Sequence, residues 1–243
     1  MHGSASSINV GDLADTGPVQ ELVTAVRAAL VEAGDPARAE RMRAYMKSAM
    51  PYRGVPSPVR TRLTKPLFAE HPLPDRDAWL AAVLALWRDA RYREERYVAI
   101  DLAGHRPYPR WRAPDLLPAY REMIVDGAWW DYVDELAARH VGALLADHRA
   151  ELTPVLRGWA TDDDRWLRRT SVICHLKAEA DTDLDLLTHV IESTMDDKDF
   201  FLRKSIGWAL RQYARTDPEW VREFVRTHPG LSPLSRREAA KHL

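Results

Sequence analysis

From residue 19 onward the apolar residues of this chain recur at three- and four-residue spacing, and no convincing stretch alternates with a period of two. That periodicity excludes a sheet and requires helices that each bury one face. Val19, Leu22, Val23, Val26 and Leu30 mark a first amphipathic helix, closed by Gly34-Asp35-Pro36. Further helices are predicted over 37–49, 58–68, 75–90, 93–105, 114–126, 131–147, 149–159, 165–178, 183–195, 198–215, 217–228 and 233–242. Turn formers separate them: Pro72 and Pro74, Pro107 and Pro109, Gly127, Asp162-Asp163-Asp164, Asp181, Asp196-Asp197 and Pro229-Gly230. Many short helices joined by short connections, recurring as pairs about every 35–40 residues, predict an all-α chain. The expected fold is an α-solenoid of HEAT-like helical repeats with a concave binding groove; a compact multi-helix bundle is the alternative.

The 243 residues suffice for one large domain or two small ones, and a hydrophobic fraction of 46% can fill a core. No apolar run approaches the roughly 18 residues of a membrane span, so no membrane partner is expected. Residues 1–18 are small and polar, without the apolar core of a secretory signal, and read as a flexible tail ahead of a single domain over 19–243. A single cysteine, Cys174, excludes an internal disulfide and fits a reducing cytoplasm. It sits in the run Val172-Ile173-Cys174 and reads as a core residue. The net charge of −1 does not announce a polyanion partner, but the distribution is uneven. From Phe201 to the end there are nine Lys and Arg against four acids, a local balance of +5. A neutral domain can thus carry one basic face; a solvated helical surface has the same composition.

Several chemistries find no support in the residue pattern. There is no glycine-rich phosphate loop, no serine in a nucleophile elbow and no Cys/His set with metal spacing, so neither metal nor organic cofactor is expected. Trp79, Val83, Leu86, Trp87 and Ala90 form a plain packing stripe. Three other segments interleave aromatics with charge. In Gly127-Ala128-Trp129-Trp130-Asp131-Tyr132-Val133-Asp134-Glu135, Trp130 and Asp134 share a helix face. An aromatic plate beside a carboxylate suits a flat cationic partner. The same segment also reads as a helix start, with Asp131 capping free amides. In Asp164-Arg165-Trp166-Leu167-Arg168-Arg169-Thr170, adjacent Arg168 and Arg169 cannot both face the core. In Phe200-Phe201-Leu202-Arg203-Lys204-Ser205-Ile206-Gly207-Trp208, Lys204 and Trp208 share a face. Aromatics interleaved with Arg and Lys on successive helices fit a phosphate-lined groove with stacking plates; each segment alone is equally a core face backed by a solvated one.

With these segments the chain resembles the AlkD family of HEAT-like-repeat DNA glycosylases, which remove alkylated purines. The resemblance runs through Tyr45-Met46-Lys47, Gly54-Val55 and Ser57-Pro58, then Trp129-Trp130-Asp131-Tyr132-Val133-Asp134. It continues through Trp166-Leu167-Arg168-Arg169 and Phe200 to Arg211, and ends with Pro233 to His242. It implies that Asp134 is the catalytic carboxylate and that Trp130 and Trp208 flank the lesion. It also implies that Arg169 holds the DNA backbone and that Tyr45 lies near the lesion strand. Ser57, Arg60, Lys204, Arg203, Arg236 and Arg237 complete the expected DNA-binding set. Ser57 stands where the family has Thr, and Pro51-Tyr52-Arg53 replaces a more apolar stretch, both where DNA is approached. The implied partner is double-stranded DNA containing alkylated purines, bound by a cytoplasmic, nucleoid-associated monomer. A non-catalytic helical scaffold for DNA or protein is the rival reading. A lyase working through a lysine Schiff base would have only Lys204 as its candidate.

Overall fold

A computed structural model describes residues 17–243, and every regular element among them is helical. The expected N-terminal tail lies outside the described residues except for Gly17 and Pro18, which open the first helix. The chain divides into two compact units, one ending at Trp111 and one spanning Arg112–Leu243.

The first unit contains α1 (Gly17–Glu32), α2 (Pro36–Met46), α3 (Ser57–Glu70), α4 (Arg76–Arg88) and α5 (Arg93–Ala103). The stripe Val19, Leu22, Val23, Val26 and Leu30 is buried, and α1 packs through it on α3, α4 and α5. In α4, the continuous run Ala81 to Trp87 is buried as well as Ala78 and Trp79, so this helix is enclosed on all sides. Helix α2 stops at Met46, three residues short of the expected 37–49, because Lys47 turns into the left-handed region at φ 50.

The second unit contains α6 (Leu117–Gly127), α7 (Trp130–Glu135), a π-helical segment (Leu136–Val141), α8 (Gly142–Asp147) and α9 (Arg149–Trp159). It continues with α10 (Arg165–Ile173), α11 (Leu184–Thr194), α12 (Phe200–Tyr213), α13 (Pro218–Thr227) and α14 (Pro233–Ala239). Helix α10 is the hub: it touches α6, α7, the π segment, α9, α11 and α12. Helix α12 in turn packs on α14.

Aspartates start these helices for a local reason. Asp164 accepts from the amides of Trp166 and Leu167 at 2.8 and 3.1 Å, and Asp199 from those of Phe201 and Leu202 at 2.7 and 3.2 Å. Each satisfies amides that a helix leaves open. Two residues upstream, Asp162 and Asp197 accept from the amides of Asp164 and Asp199 at 2.9 and 2.7 Å. The acidic punctuation marks are therefore turn-and-cap devices. The capping position of α7 is Trp129, which offers no side-chain acceptor, and Asp131 lies in the first turn of the helix.

Cys174 is buried, as expected, and burial pushes its thiol pKa up. Gly142 opens α8, and a Cβ there would lie 2.4 Å from the Cys174 carbonyl oxygen. Close approach of backbone to backbone thus fixes the separation of α8 and the end of α10. Gly142→Ala gains about 1 kcal/mol of helix propensity but drives a methyl into a carbonyl that cannot rotate away. Overpacking of about 1–3 kcal/mol or more wins, so Gly142→Ala is expected to lower the melting temperature.

His175, one residue on, is also buried, and neither ring nitrogen has a hydrogen-bond partner among the described residues. Burial pushes its pKa down to about 4, assisted by Arg149 and opposed by Asp183. The unfolded chain takes up a proton below about 6.5 and the folded chain only near 4. Stability is therefore full above about 6.5 and declines as pH falls toward 4, by about 3 kcal/mol. His175→Leu should remove that part of the acid sensitivity in melting curves taken from pH 7 to 4. An unchanged pH dependence would show that His175 titrates normally.

Candidate active site

The three segments that mix aromatics with charge converge on one ion pair in the second unit. Asp134 lies near the end of α7 and Arg169 in the middle of α10. Arg169 Nε donates to Asp134 Oδ1 at 2.7 Å and Nη2 donates to Oδ2 at 2.9 Å. The third donor, Nη1, reaches the backbone carbonyl of Phe201 on α12 at 2.5 Å. One guanidinium thus ties α7, α10 and α12 together. Its side chain is 4% exposed, and that of Asp134 is 16% exposed.

The two-point fork is the geometry of a charged carboxylate on a guanidinium. Burial nevertheless pushes the Asp134 carboxyl above the ordinary aspartate range; the Arg169 hydrogen bonds and charge oppose that push, and nearby Asp131 adds to it. A carboxylate has about four acceptor sites, so two bonds to Arg169 leave capacity on the solvent-reaching edge. The result is a fixed, partly desolvated negative charge. Two residues after Asp134 the backbone passes into the π-helical segment, a feature often found at functional sites.

Trp130 stands one turn before Asp134 on the same short helix and is half-buried, as is Trp208 on α12. The same three segments also form an aromatic cluster. The ring of Phe201 lies 5.7 Å from Trp129 and 5.1 Å from Trp166, and Trp129 lies 6.3 Å from Trp166. Phe200, 58% exposed, packs edge-on against Phe201.

The remaining predicted residues divide by exposure. Arg169, the expected backbone-holding arginine, is buried, and three of its five N–H groups go to Asp134 and the Phe201 carbonyl. Arg168, its neighbour, is half-buried. It bonds to the carbonyls of Asp162 and Asp163 at 2.5 and 2.9 Å and to the Asp197 carboxylate at 3.1 Å. Arg236 donates to the carbonyls of Leu231, Val225 and His228, closing the end of α13. Arg203 donates to the Asp197 carbonyl at 3.0 Å. Lys204, half-exposed, reaches Glu238 at 3.3 Å, and Glu238 also holds Arg211 at 2.6 Å and Lys241 at 2.8 Å. Arg237 is exposed. In the first unit, Arg60 is buried against Asp101 at 2.9 Å and lies over the Tyr97 ring, whereas Ser57 is exposed and Tyr45 is 77% exposed. Of the expected phosphate contacts, Arg60 and Arg169 are buried, whereas Arg203, Lys204 and Arg236 are half-buried with internal partners.

Sequence reasoning missed the Phe201 carbonyl, the Glu238 hub and the pairing of Asp134 with Arg169. One signal was present: Asp134 and Arg169 are 35 residues apart, and the same 35-residue step relates Asp162 to Asp197 and Asp164 to Asp199.

An all-α chain of successively packed helices, with a buried guanidinium presenting a carboxylate, defines a helical-repeat protein with an acidic site. The chain belongs to the DNA alkylation repair enzyme family, whose model matches residues 26–243. It is similar to the solved structure of a predicted DNA alkylation repair enzyme from Enterococcus faecalis. The two are 32% identical, with a TM-score of 0.77, over 86% of this chain and 96% of that one. No curated protein matches. Among the described residues no helix is long and apolar enough to cross a membrane, and no group of acids, His or Cys could hold a metal ion.

Truncating Arg169 to Ala would leave Asp134 as an unpaired, mostly buried charge and free the Phe201 carbonyl. The expected cost is about 3 kcal/mol, the low end for a broken buried pair because the Asp134 edge still meets water. Denaturant melts should show it. Arg169→Lys should recover only part, since an ammonium cannot make the fork.

Proposed function

We propose that this chain is an AlkD-type, HEAT-like-repeat DNA glycosylase acting in base excision repair. It would hydrolyse the N-glycosidic bond of N3- or N7-alkylated purines, bulky adducts included, in duplex DNA. The observation that carries this reading is Asp134: a carboxylate immobilised by a buried guanidinium, one helical turn from Trp130, in a chain of the DNA alkylation repair enzyme family.

Alkylation at N3 or N7 makes the purine cationic and a good leaving group. The C1′–N bond breaks with its electron pair moving to the base, which neutralises the base and leaves positive charge on the sugar. Asp134 stabilises that charge and orients a water, whose oxygen bonds to C1′ and whose proton is released. Trp130 and Trp208 offer π faces to the cationic nucleotide, worth about 1–2 kcal/mol each when desolvated. Because the charge is on the leaving group, the reaction needs no acid on the base and no deep pocket for it; uncharged lesions would be poor substrates. Arg169 acts through Asp134, holding it in place and aimed. Tyr45, Ser57, Arg203, Lys204 and Arg237 are the proposed contacts to duplex DNA, bound as a monomer in the cytoplasm.

Asp134→Asn tests the central step. Single-turnover release of an N7- or N3-alkylpurine should slow roughly 10–1000-fold, while duplex affinity holds or tightens as a negative charge is lost. The wild-type rate should fall on the acid side at a pH above the ordinary aspartate value of 3.8, because the folded carboxyl is shifted upward and its protonated form is inactive. That limb should vanish in Asp134→Asn. Undiminished release by folded Asp134→Asn would remove Asp134 from catalysis and favour the non-catalytic scaffold.

A further inference from the structure

Several arginines of the first unit have a carboxylate partner, and one in the loop 51–56 does not. Arg27 pairs with Glu95 at 3.0 Å, Arg38 with Asp35 at 3.3 Å, and Arg60 with Asp101 at 2.9 Å. Arg53 has no carboxylate partner among the described residues. Its guanidinium lies 3.7 Å above the Tyr92 ring, and its Nε is buried without an acceptor.

The loop that carries Arg53 is tied at nearly every residue. Glu94, fully buried, accepts from the amides of Arg53, Gly54 and Val55 at 3.0, 2.9 and 3.1 Å. The Arg53 carbonyl accepts from the Asp35 amide at 2.8 Å, and the Pro51 carbonyl from the Arg93 amide at 3.0 Å. Tyr52 is buried, with its hydroxyl 2.9 Å from that of Tyr97. Gly54 sits at φ +86, where a Cβ would fall 2.1 Å from the Asp35 carbonyl oxygen. Only glycine allows the turn.

We propose that Arg53 is a phosphate-binding residue for the duplex DNA backbone, and that Glu94 is its positioning residue. A rigid loop and an aromatic rest remove most of the side-chain entropy that an arginine normally loses on binding. One face of the guanidinium is already desolvated by Tyr92. The missing partner is an anion that accepts from a planar fork, which a phosphodiester does. Glu94 contributes by geometry, since its own charge opposes DNA. This rests on the reading of the chain as a DNA-acting enzyme.

The experiment measures binding of the full chain to undamaged duplex across salt concentrations, with melting temperature and single-turnover base release on the same samples. Arg53→Gln should weaken binding roughly 3–10-fold near physiological salt and flatten the log–log salt slope by about 0.9, one phosphate contact. Arg53→Lys should keep the slope and recover part of the affinity. Arg157→Gln removes the same charge from an arginine paired with Asp185 and is the control. Glu94→Gln separates geometry from charge: removing an acid should tighten DNA binding by electrostatics alone, whereas a loosened loop weakens it. If Arg53→Gln behaves like the Arg157 control, the proposal is overturned for Arg53. If folded Glu94→Gln binds more tightly, Glu94 is not a positioning residue. Should Glu94→Gln not fold, the two Arg53 variants still decide. Wild-type protein that releases no alkylated base but shows the Arg53 slope change would fail the glycosylase reading and leave Arg53 standing.

Discussion

A guanidinium that is almost wholly enclosed has to find acceptors for its donors, and Arg169 finds them on two other helices. Its fork meets both oxygens of Asp134 on α7 and a third N–H meets the Phe201 carbonyl on α12. The carboxylate and the carbonyl are therefore held relative to α10 by hydrogen bonds of 2.5–2.9 Å. Helix α10 can serve as that centre because seven of its nine residues are buried and six elements pack on it. Gly142, at the start of α8, brings backbone against backbone at the end of the same helix. Position of the charge and packing of the hub are one problem with one solution.

This arrangement also fits a catalytic charge. A carboxylate free in water spends its field on solvent, and a carboxylate fully buried would rather be protonated. Asp134 lies between these limits: burial raises its pKa, Arg169 restrains the rise, and a small exposed edge faces outward. A charge prepared in this way does not need to reorganise when positive charge develops beside it, which is the physical basis of electrostatic catalysis. The price of a buried ion pair is desolvation, and here it is offset by placing the pair where three helices need a common anchor.

Much of this was legible in the residue pattern. The helical class followed from spacing alone, and the boundaries that moved did so for local reasons. Helix α2 ended early because Lys47 entered the left-handed region, and the helix expected over 131–147 was interrupted by a π segment that periodicity cannot register. Trp130, Asp134 and Arg169 stood out as residues, but the pairing of Arg169 with Asp134 did not. An arginine beside a tryptophan reads the same whether it faces a phosphate or a carboxylate 35 residues away. Arg60 and Arg236 illustrate the same blindness: positive charge on a helix does not say whether its partner is outside or inside. Asp134 and Arg169 occupy equivalent positions of a 35-residue repeat, as do the capping aspartates 164 and 199, and only packing turns that spacing into contact.

The repeat explains why the acid and the base meet. Helices that recur at a constant step put equivalent positions of neighbouring repeats side by side. A charge at one position is then met by whatever stands 35 residues on. At the step from 134 to 169 the residues are Asp and Arg, and they neutralise one another in the interior. At the next step, from 169 to 204, the residues are Arg and Lys, which cannot pair. A third Arg169 N–H goes to a backbone carbonyl, and Lys204 pairs with Glu238. Glu238 in turn collects Arg211 and Lys241 and is held below the usual carboxylate range, chiefly by its hydrogen bond from Lys241. The excess of basic residues near the C-terminus is thus partly consumed in tying α12 to the end of the chain. The charge left over, and not the charge counted in the sequence, is what a polyanion can meet.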